Sequence, residues 1–185
     1  NNNNFADGSF VCTLGFNAVR AGVSGFVTNS HCSGLQGGVQ GIPYYQHVFA
    51  AGNLIGTEIA DPLYFAGAPC PAGRICRRSD AAFASYAPGV PFSLGHIYRT
   101  VNRVGPFLGP GSINICHLSP TAHCTLQIVG EQPFPVVGLE LAKIGRTTGW
   151  TWGTVSATCV NANVAGTIIT QLCQDIVNGA GVAGG

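Results

Sequence analysis

Hydrophobic and polar residues alternate along this chain in short runs that glycine and proline interrupt. No stretch of ten residues has apolar positions spaced 3.6 residues apart, so the pattern predicts no helix. Runs rich in Val, Ile, Phe and Thr predict strands instead, and the predicted class is all-β. These runs cover residues 10–16, 22–28, 46–50, 54–59, 81–86, 94–100, 113–117, 125–129, 136–144, 153–158 and 166–172.

One stretch dense in glycine and proline divides these strands into two groups. It reads Val104-Gly105-Pro106-Phe107-Leu108-Gly109-Pro110-Gly111, and so many turn-forming residues do not fit a strand. We therefore expect two all-β lobes, one over 1–103 and one over 112–185, with 104–111 as the linker between them.

The composition excludes several classes of protein. Hydrophobic residues make up 46% of the 185 residues, only 8% are charged, and the formal net charge is +1. Disordered chains combine low hydrophobicity with high net charge, and nucleic-acid-binding proteins carry basic clusters that this chain lacks. No apolar run approaches the 18 or so residues that cross a bilayer. We expect a folded protein with neither nucleic acid nor membrane as a partner.

The eight cysteines indicate an oxidising compartment. No Cys-x-x-Cys motif occurs, which disfavours zinc ribbons and thioredoxin-like sites. Eight cysteines allow 105 pairings, of which the simplest joins sequence neighbours. The chain also begins at Asn1 without a methionine, so we expect a secreted protein whose signal peptide has been removed. The expected disulfides are Cys12–Cys32, Cys70–Cys76, Cys116–Cys124 and Cys159–Cys173.

His31 is the sharpest candidate for chemistry. The predicted strand at 22–28 runs directly into a turn that presents His31 beside Cys32. A disulfide from Cys32 to Cys12 would fix this turn, as the placement of a catalytic base requires. The alternative is a surface histidine next to a structural disulfide.

A histidine base needs a carboxylate to hold its tautomer, and the chain has four aspartates. Asp7 and Asp61 precede Gly8 and Pro62, as turn residues do. Asp175 lies in a polar segment after Cys173. Asp80 instead opens an apolar strand, where an unpaired carboxylate would be costly. We therefore expect Asp80 to partner His31, although an ion pair with a neighbouring arginine, Arg77 or Arg78, also fits the sequence.

Three segments now resemble a known family. Thr28-Asn29-Ser30-His31-Cys32 resembles the histidine motif of the chymotrypsin-like serine peptidases, and Ser79-Asp80-Ala81-Ala82-Phe83 is similar to their catalytic-aspartate strand. Gly145-Arg146-Thr147-Thr148-Gly149-Trp150, followed by Gly153-Thr154-Val155, looks like a stretch of the bacterial streptogrisin and alpha-lytic branch. The resemblance extends over most of the chain from Cys12, and is weakest between residues 36 and 78.

The resemblance implies a fold and an activity. The fold would be two perpendicular six-stranded antiparallel β-barrels with the active site in the crevice between them, the second barrel being incomplete in these 185 residues. The activity would be that of a monomeric, secreted serine endopeptidase that acts on protein or peptide substrates without a cofactor or a metal. His31 would be its general base and Asp80 would orient His31.

The chain departs from the family pattern in three places. Asn29 and Ser30 replace a small apolar pair, and because Ser30 is also small we expect little effect. His31 and Asp80 are 49 positions apart, which an extra disulfide loop at 70–76 would explain. No Gly-Asp-Ser-Gly nucleophile motif occurs, and no serine present lies in a strained glycine turn.

The resemblance places the missing nucleophile just beyond Gly185. Gly185 would then be the first glycine of the motif and contribute to the oxyanion hole. The floor of the specificity pocket would lie near Gly181 and Val182. Neither is acidic, so a preference for Arg or Lys is not expected.

Other functions fit parts of the sequence. Cys116-His117 and His123-Cys124 have the composition of a zinc site, although secreted cysteines usually oxidise. Trp150 and Trp152 would share one face of a strand and form either a carbohydrate-stacking platform or part of the core. The alternatives to a peptidase are therefore a secreted all-β binding module and a peptidase homologue that has lost catalysis.

Overall fold

The structure is a computed structural model that describes residues 11–34, 36–46, 50–105, 111–116 and 124–179. Almost all of its regular structure is strand, and two single 3₁₀ turns occur at Ser30–Cys32 and Ala51–Asn53. None of the described residues forms a helix long and apolar enough to cross a membrane. The strands are β1 (Phe16–Arg20), β2 (Val23–Thr28), β3 (Pro43–Tyr45), β4 (Leu54–Ala60), β5 (Ile75–Arg77), β6 (Ala82–Tyr86), β7 (His96–Tyr98), β8 (Arg103–Val104), β9 (Thr125–Gln127), β10 (Glu140–Gly145), β11 (Gly149–Asn163) and β12 (Ile169–Asn178).

The chain divides into two compact units. The first contains the described residues up to Gly95 together with Val164–Thr170, and the second contains the described residues of 96–163 and 171–179. The chain therefore enters the second unit at His96, before the predicted linker at 104–111, because β7 pairs with β9 of the second unit. Most of that linker, 106–110, lies outside the described residues.

The first unit is built on a five-stranded antiparallel sheet. Its strand order is β1-β2-β6-β4-β3. Strands β1 and β2 form a hairpin closed by Ala21 and Gly22, which both have positive φ angles, 49° and 81°. Strand β1 runs over Phe16–Arg20 and the described residues 11–15 form no strand, so the bounds of the predicted strand at 10–16 are wrong.

The core of the first unit lies on one face of this sheet. Phe26, Tyr44, Ile55 and Ala84 are all buried there, and the Phe26 and Tyr44 rings meet edge to face with centroids 5.5 Å apart. Gly25 lets β2 and β6 approach closely, since a Cβ atom at this position would lie 2.0 Å from the carbonyl oxygen of Ala84. Burial of these aromatic and aliphatic side chains fixes β2 and β6 in the register that the candidate site uses.

The second unit contains β11 and most of β12, the two longest strands that the structure describes. Strand β11 is antiparallel to β10 and lies between β10 and β12 in the strand order, while the short β8 pairs with β11 in parallel. The predicted strand at 153–158 is the middle of β11, which runs from Gly149 to Asn163. The first residues of β12 belong to the first unit, where the N–H of Ile75 donates to the carbonyl of Ile168.

Four disulfides cross-link the chain and leave no free cysteine among the described residues. They are the sequence-neighbour pairs named above: Cys12–Cys32, Cys70–Cys76, Cys116–Cys124 and Cys159–Cys173. Because the sulfurs of Cys116 and Cys124 are bonded to each other, they cannot be thiolate ligands of the zinc site considered from the sequence.

Candidate functional site

His31 lies just after β2, in the 3₁₀ turn Ser30–Cys32. Three contacts hold this turn. The Cys12–Cys32 disulfide ties it to the chain before β1, the N–H of Ser30 donates to the carbonyl of Asp80 at 3.3 Å, and the N–H of Ser33 donates to the carbonyl of Ser30 at 2.9 Å. The imidazole thus projects from a fixed backbone and remains partly exposed.

Asp80 reaches His31 because β2 and β6 are antiparallel neighbours. Thr28, the last residue of β2, lies opposite Ala82, the first residue of β6. The chain continues from Thr28 to His31 and precedes Ala82 at Asp80, so the two side chains meet just beyond the end of the strand pair. Burial of the apolar positions of β6 therefore determines where the carboxylate lies.

Both carboxylate oxygens of Asp80 are hydrogen-bonded. Oδ2 pairs with Nδ1 of the His31 ring, and Oδ1 accepts the backbone N–H of His31 at 3.0 Å. The His31 side chain is 38% exposed and that of Asp80 is 17% exposed. With Nδ1 engaged, Nε2 is the ring nitrogen that remains for chemistry.

These contacts change the pKa values of both groups. The hydrogen bond to Asp80 raises the pKa of His31 above 6.5, although burial and the charge of Arg77 oppose this change. Burial by itself would raise the pKa of Asp80, but the hydrogen bonds from His31 and the charges of His31 and Arg77 lower it below 3.8. Asp80 is therefore an anion at neutral pH, and the imidazolium form of His31 is stabilised.

Arg77 forms an ion pair with the same carboxylate. Its guanidinium is buried, and Nη2 donates to Oδ1 of Asp80 at 2.6 Å. The guanidinium also stacks on the ring of Tyr64, 4.9 Å from the ring centroid. The sequence left His31 and a neighbouring arginine as alternative partners of Asp80, and in the structure Asp80 contacts His31 and Arg77 together.

Ser30 and Asp61 extend this network into the interior. Arg77 Nη1 donates to the Ser30 hydroxyl at 2.6 Å, and that hydroxyl donates to Oδ2 of Asp61 at 2.9 Å. The sequence did not predict this contact. We expected Ser30 to have little effect and Asp61 to be a turn residue. The one sequence signal for it was the polar residue at Ser30, where the family pattern has a small apolar one.

More polar groups are buried around this network. Glu58 is 1% exposed, and its Oε2 accepts the N–H of Gln40 at 2.6 Å. Burial, followed by the nearby carboxylates of Glu58 and Asp61, raises the pKa of Tyr44 well above its ordinary range. Burial is also the main cause that raises the pKa of Asp61 above 3.8. The first unit therefore holds several ionisable side chains away from solvent, namely those of Tyr44, Glu58 and Asp61.

The remaining predicted site residues lie outside the described part of the chain. This is true of Gly181, Val182 and Gly185, and of His117 and His123. A cavity of about 420 Å³ does occur in the first unit. It is lined in part by Val27, Asp61 and Phe83, so it is not the predicted specificity pocket. No group of three or more metal-ligating side chains is found among the described residues.

The two tryptophans of the second unit share a face of β11, and arginines cover both. The guanidinium of Arg99 lies 5.6 Å from the ring centroid of Trp150. That of Arg103 lies 5.1 Å from the ring centroid of Trp152 and also pairs with Glu140 at 3.0 Å. A platform for sugar stacking needs open ring faces, so this arrangement does not favour one.

Comparison with known proteins identifies the fold. No protein-family model and no curated protein matched the chain by sequence. Among solved structures, it is similar to Thermobifida fusca protease A with a TM-score of 0.52 and 19% identity, over 96% of this chain and 70% of that chain. The chain has the chymotrypsin-like fold. The all-β fold class predicted from the sequence is confirmed.

A second solved structure was also found. It is the Nocardiopsis protease NAPase, with a TM-score of 0.47 and 22% identity, over 94% of this chain and 74% of that chain. At 19% identity the likeness to Thermobifida fusca protease A establishes the fold alone, and the reaction has to be argued from the site itself.

Proposed function

We propose that the protein is a serine endopeptidase in which His31 is the general base and Asp80 orients it. The observation that carries the proposal is the pairing of Nδ1 of His31 with Oδ2 of Asp80 in a chain of chymotrypsin-like fold. In the Ser-His-Asp mechanism Nε2 of the histidine removes the proton of a serine as that serine attacks the peptide carbonyl, and later returns it to the leaving amine. The partly exposed His31 ring is suited to that exchange.

Asp80 has two functions in this mechanism. It holds the His31 tautomer that has its proton on Nδ1, which leaves Nε2 free to accept a proton. It also stabilises the imidazolium that forms when the serine attacks. The raised pKa of His31 and the lowered pKa of Asp80 are the changes that such a pair requires.

The nucleophile in this proposal is a serine that residues 1–185 do not provide. No Gly-Asp-Ser-Gly motif occurs in them. In the proposal Gly185 contributes its backbone N–H to the oxyanion hole, and Gly181 and Val182 form part of a pocket without an acidic residue. The protein would be a secreted monomer that binds protein or peptide substrates.

Labelling with a fluorophosphonate tests the proposal, because this reagent reacts with a serine only where a base activates it. The protein is expressed from its complete coding sequence, labelled, and analysed by mass spectrometry. We expect one labelled serine in the wild-type protein and none in His31→Ala. The matched control is His96→Ala, a change at an exposed histidine of β7, which should label normally.

Two results would contradict the proposal. Labelling that persists in His31→Ala would show that the serine is activated by another group. An absence of labelling in a correctly folded wild-type protein would favour the inactive homologue or the binding module instead.

A further inference from the structure

Arg77 is buried next to the candidate catalytic pair and contacts it through Asp80. Its side chain is 2% exposed, and burying a guanidinium is costly unless its N–H groups are paired. Nη2 donates to Asp80 and Nη1 donates to Ser30. The cation therefore lies between the carboxylate that holds His31 and a hydroxyl in the turn that carries His31.

The direction of the hydrogen bonds in this network is fixed by chemistry. Arginine has donors only, so the Ser30 oxygen must accept from Arg77. The Ser30 proton is then free to go to Oδ2 of Asp61, 2.9 Å away. Asp61 thereby holds the hydroxyl, the hydroxyl holds Nη1, and the guanidinium plane sets the position of Nη2 on Asp80.

Packing restricts the guanidinium further. The ring of Tyr64 covers its face with the centroid 4.9 Å away, which leaves little freedom for the plane to rotate. A planar fork held at two nitrogens and one face constrains its carboxylate partner more strongly than a lysine ammonium would.

We infer that Arg77, held by Ser30 and Asp61, is a positioning residue that sets the Asp80 carboxylate and through it the His31 ring. This inference rests on the proposed function, because it assigns Arg77 a part in the same reaction. Arg77 does not reach the reacting atoms. Its effect on them passes through Asp80.

The charge of Arg77 also acts on His31. The charged groups that face His31 are Asp80, which favours the imidazolium, and Arg77, which disfavours it. Asp61 does not act on His31 directly; it interacts with the Ser30 hydroxyl and with the charges of Glu58, Arg77 and Asp80. Tyr64 interacts with the charges of Arg77, Asp80 and Asp61. Removing the guanidinium therefore takes away the one cation in this set and shifts the His31 titration upward.

The test compares Arg77→Met with Arg78→Met in the protein expressed from its complete coding sequence. Arg78→Met removes the same positive charge as Arg77→Met. Arg78 is the next residue in the chain, but its side chain is exposed. Two quantities are measured: the His31 titration midpoint by ¹⁵N NMR, and the pH profile of kcat and KM for a peptide substrate. For Arg77→Met we expect a higher midpoint and a kcat about 10²-fold lower, with KM nearly unchanged. Arg78→Met should match the wild type.

Two further variants separate positioning from folding. Arg77→Lys keeps the charge and loses the fork, so the midpoint should return toward the wild-type value while kcat stays low. Ser30→Ala keeps Arg77 and removes its support, so kcat should fall between about tenfold and 10²-fold. Ser30→Ala also tests the inference if Arg77→Met does not fold.

The experiment distinguishes a failure of the role proposed for Arg77 from a failure of the proposed peptidase function. A wild-type midpoint and a wild-type kcat in a folded Arg77→Met protein would overturn the inference, as would a wild-type kcat in Ser30→Ala where Arg77→Met does not fold. If the wild-type protein has no peptidase activity, the proposed function fails. The NMR midpoint then still decides whether Arg77 acts on the His31–Asp80 pair.

Discussion

Ser30 and Asp61 are 31 positions apart in the sequence, and their side chains share a buried hydrogen bond of 2.9 Å. This contact links the turn that carries His31 to the end of β4, on the other side of β6 in the strand order. The candidate catalytic pair is therefore supported from within the first unit by polar groups as well as by the apolar core.

Replacing Ser30 by alanine should destabilise the protein. The change leaves Oδ2 of Asp61 and Nη1 of Arg77 buried without this partner, and each buried unsatisfied group costs about 1–3 kcal/mol. We expect the free energy of unfolding in urea to fall by about 2 kcal/mol or more. Ser79→Ala is the control, since Ser79 is exposed, and should stay within about 0.5 kcal/mol of the wild type. Equal stabilities of the two variants would contradict the role given to Ser30.

The stability of the fold should depend on pH through Asp80. Its pKa in the folded protein is below the ordinary 3.8, so its stabilising contribution is present above that value and is lost as the pH falls through the folded value. Urea unfolding of the wild type and of Asp80→Asn should therefore differ most at neutral pH and converge in acid. A difference that is constant with pH would contradict this assignment.

His31 contributes to the pH dependence with the opposite sign. Its pKa in the folded protein is raised above 6.5, so its contribution is complete below 6.5 and is lost as the pH rises through the folded value. In the proposed mechanism the same titration would produce the active form, because His31 must be neutral to accept a proton. We expect His31→Ala to unfold without the stability change that the wild type shows on passing from mildly acidic to alkaline pH.

Gly25→Ala should be strongly destabilising. The added methyl group would lie 2.0 Å from the backbone oxygen of Ala84 and 2.6 Å from Phe83, and the strand pair that positions His31 and Asp80 would have to separate. We expect a loss of about 3 kcal/mol or more in the free energy of unfolding. Gly52→Ala is the control, since a Cβ there meets nothing within 4 Å. Equal free energies of unfolding for Gly25→Ala and Gly52→Ala would contradict this close packing.

The Cys12–Cys32 disulfide should stabilise the fold more than Cys70–Cys76 does. The first closes a loop with a sequence separation of 20 and the second one of 6. In the chain-entropy model their removal costs about 3 and about 2 kcal/mol. Paired Cys→Ser variants compared by urea unfolding test this order, and a larger loss for the shorter loop would contradict it.

The sequence predicted the parts of the site that are local in the chain. The strand before His31 and the apolar strand after Asp80 have strong alternating or apolar patterns, and these place β2 and β6 within one residue of their observed starts. The pairing of His31 with Asp80 was expected because an acid at the mouth of an apolar strand needs a partner.

The contacts that the sequence did not predict depend on tertiary structure. Asp61 precedes a proline, and only the pairing of β4 with β6 brings it to the turn that contains Ser30. Strand β5 has three residues, Ile75–Arg77, too few for a periodic pattern to show that Arg77 is buried. The predicted strand at 153–158 is shorter than β11 at both ends, and from Ser156 onward none of the residues of β11 is buried.

Asp80→Asn removes the carboxylate charge that is proposed to hold His31 in the tautomer of a general base. The protein is expressed from its complete coding sequence, and kcat/KM is measured for peptide hydrolysis, with Asp175→Asn in the exposed part of β12 as the matched control. The proposed mechanism predicts a loss of about 10⁴-fold in Asp80→Asn, as for the corresponding change in the Ser-His-Asp template, and wild-type rates in the control. A kcat/KM within tenfold of the wild type in a folded Asp80→Asn protein would contradict it.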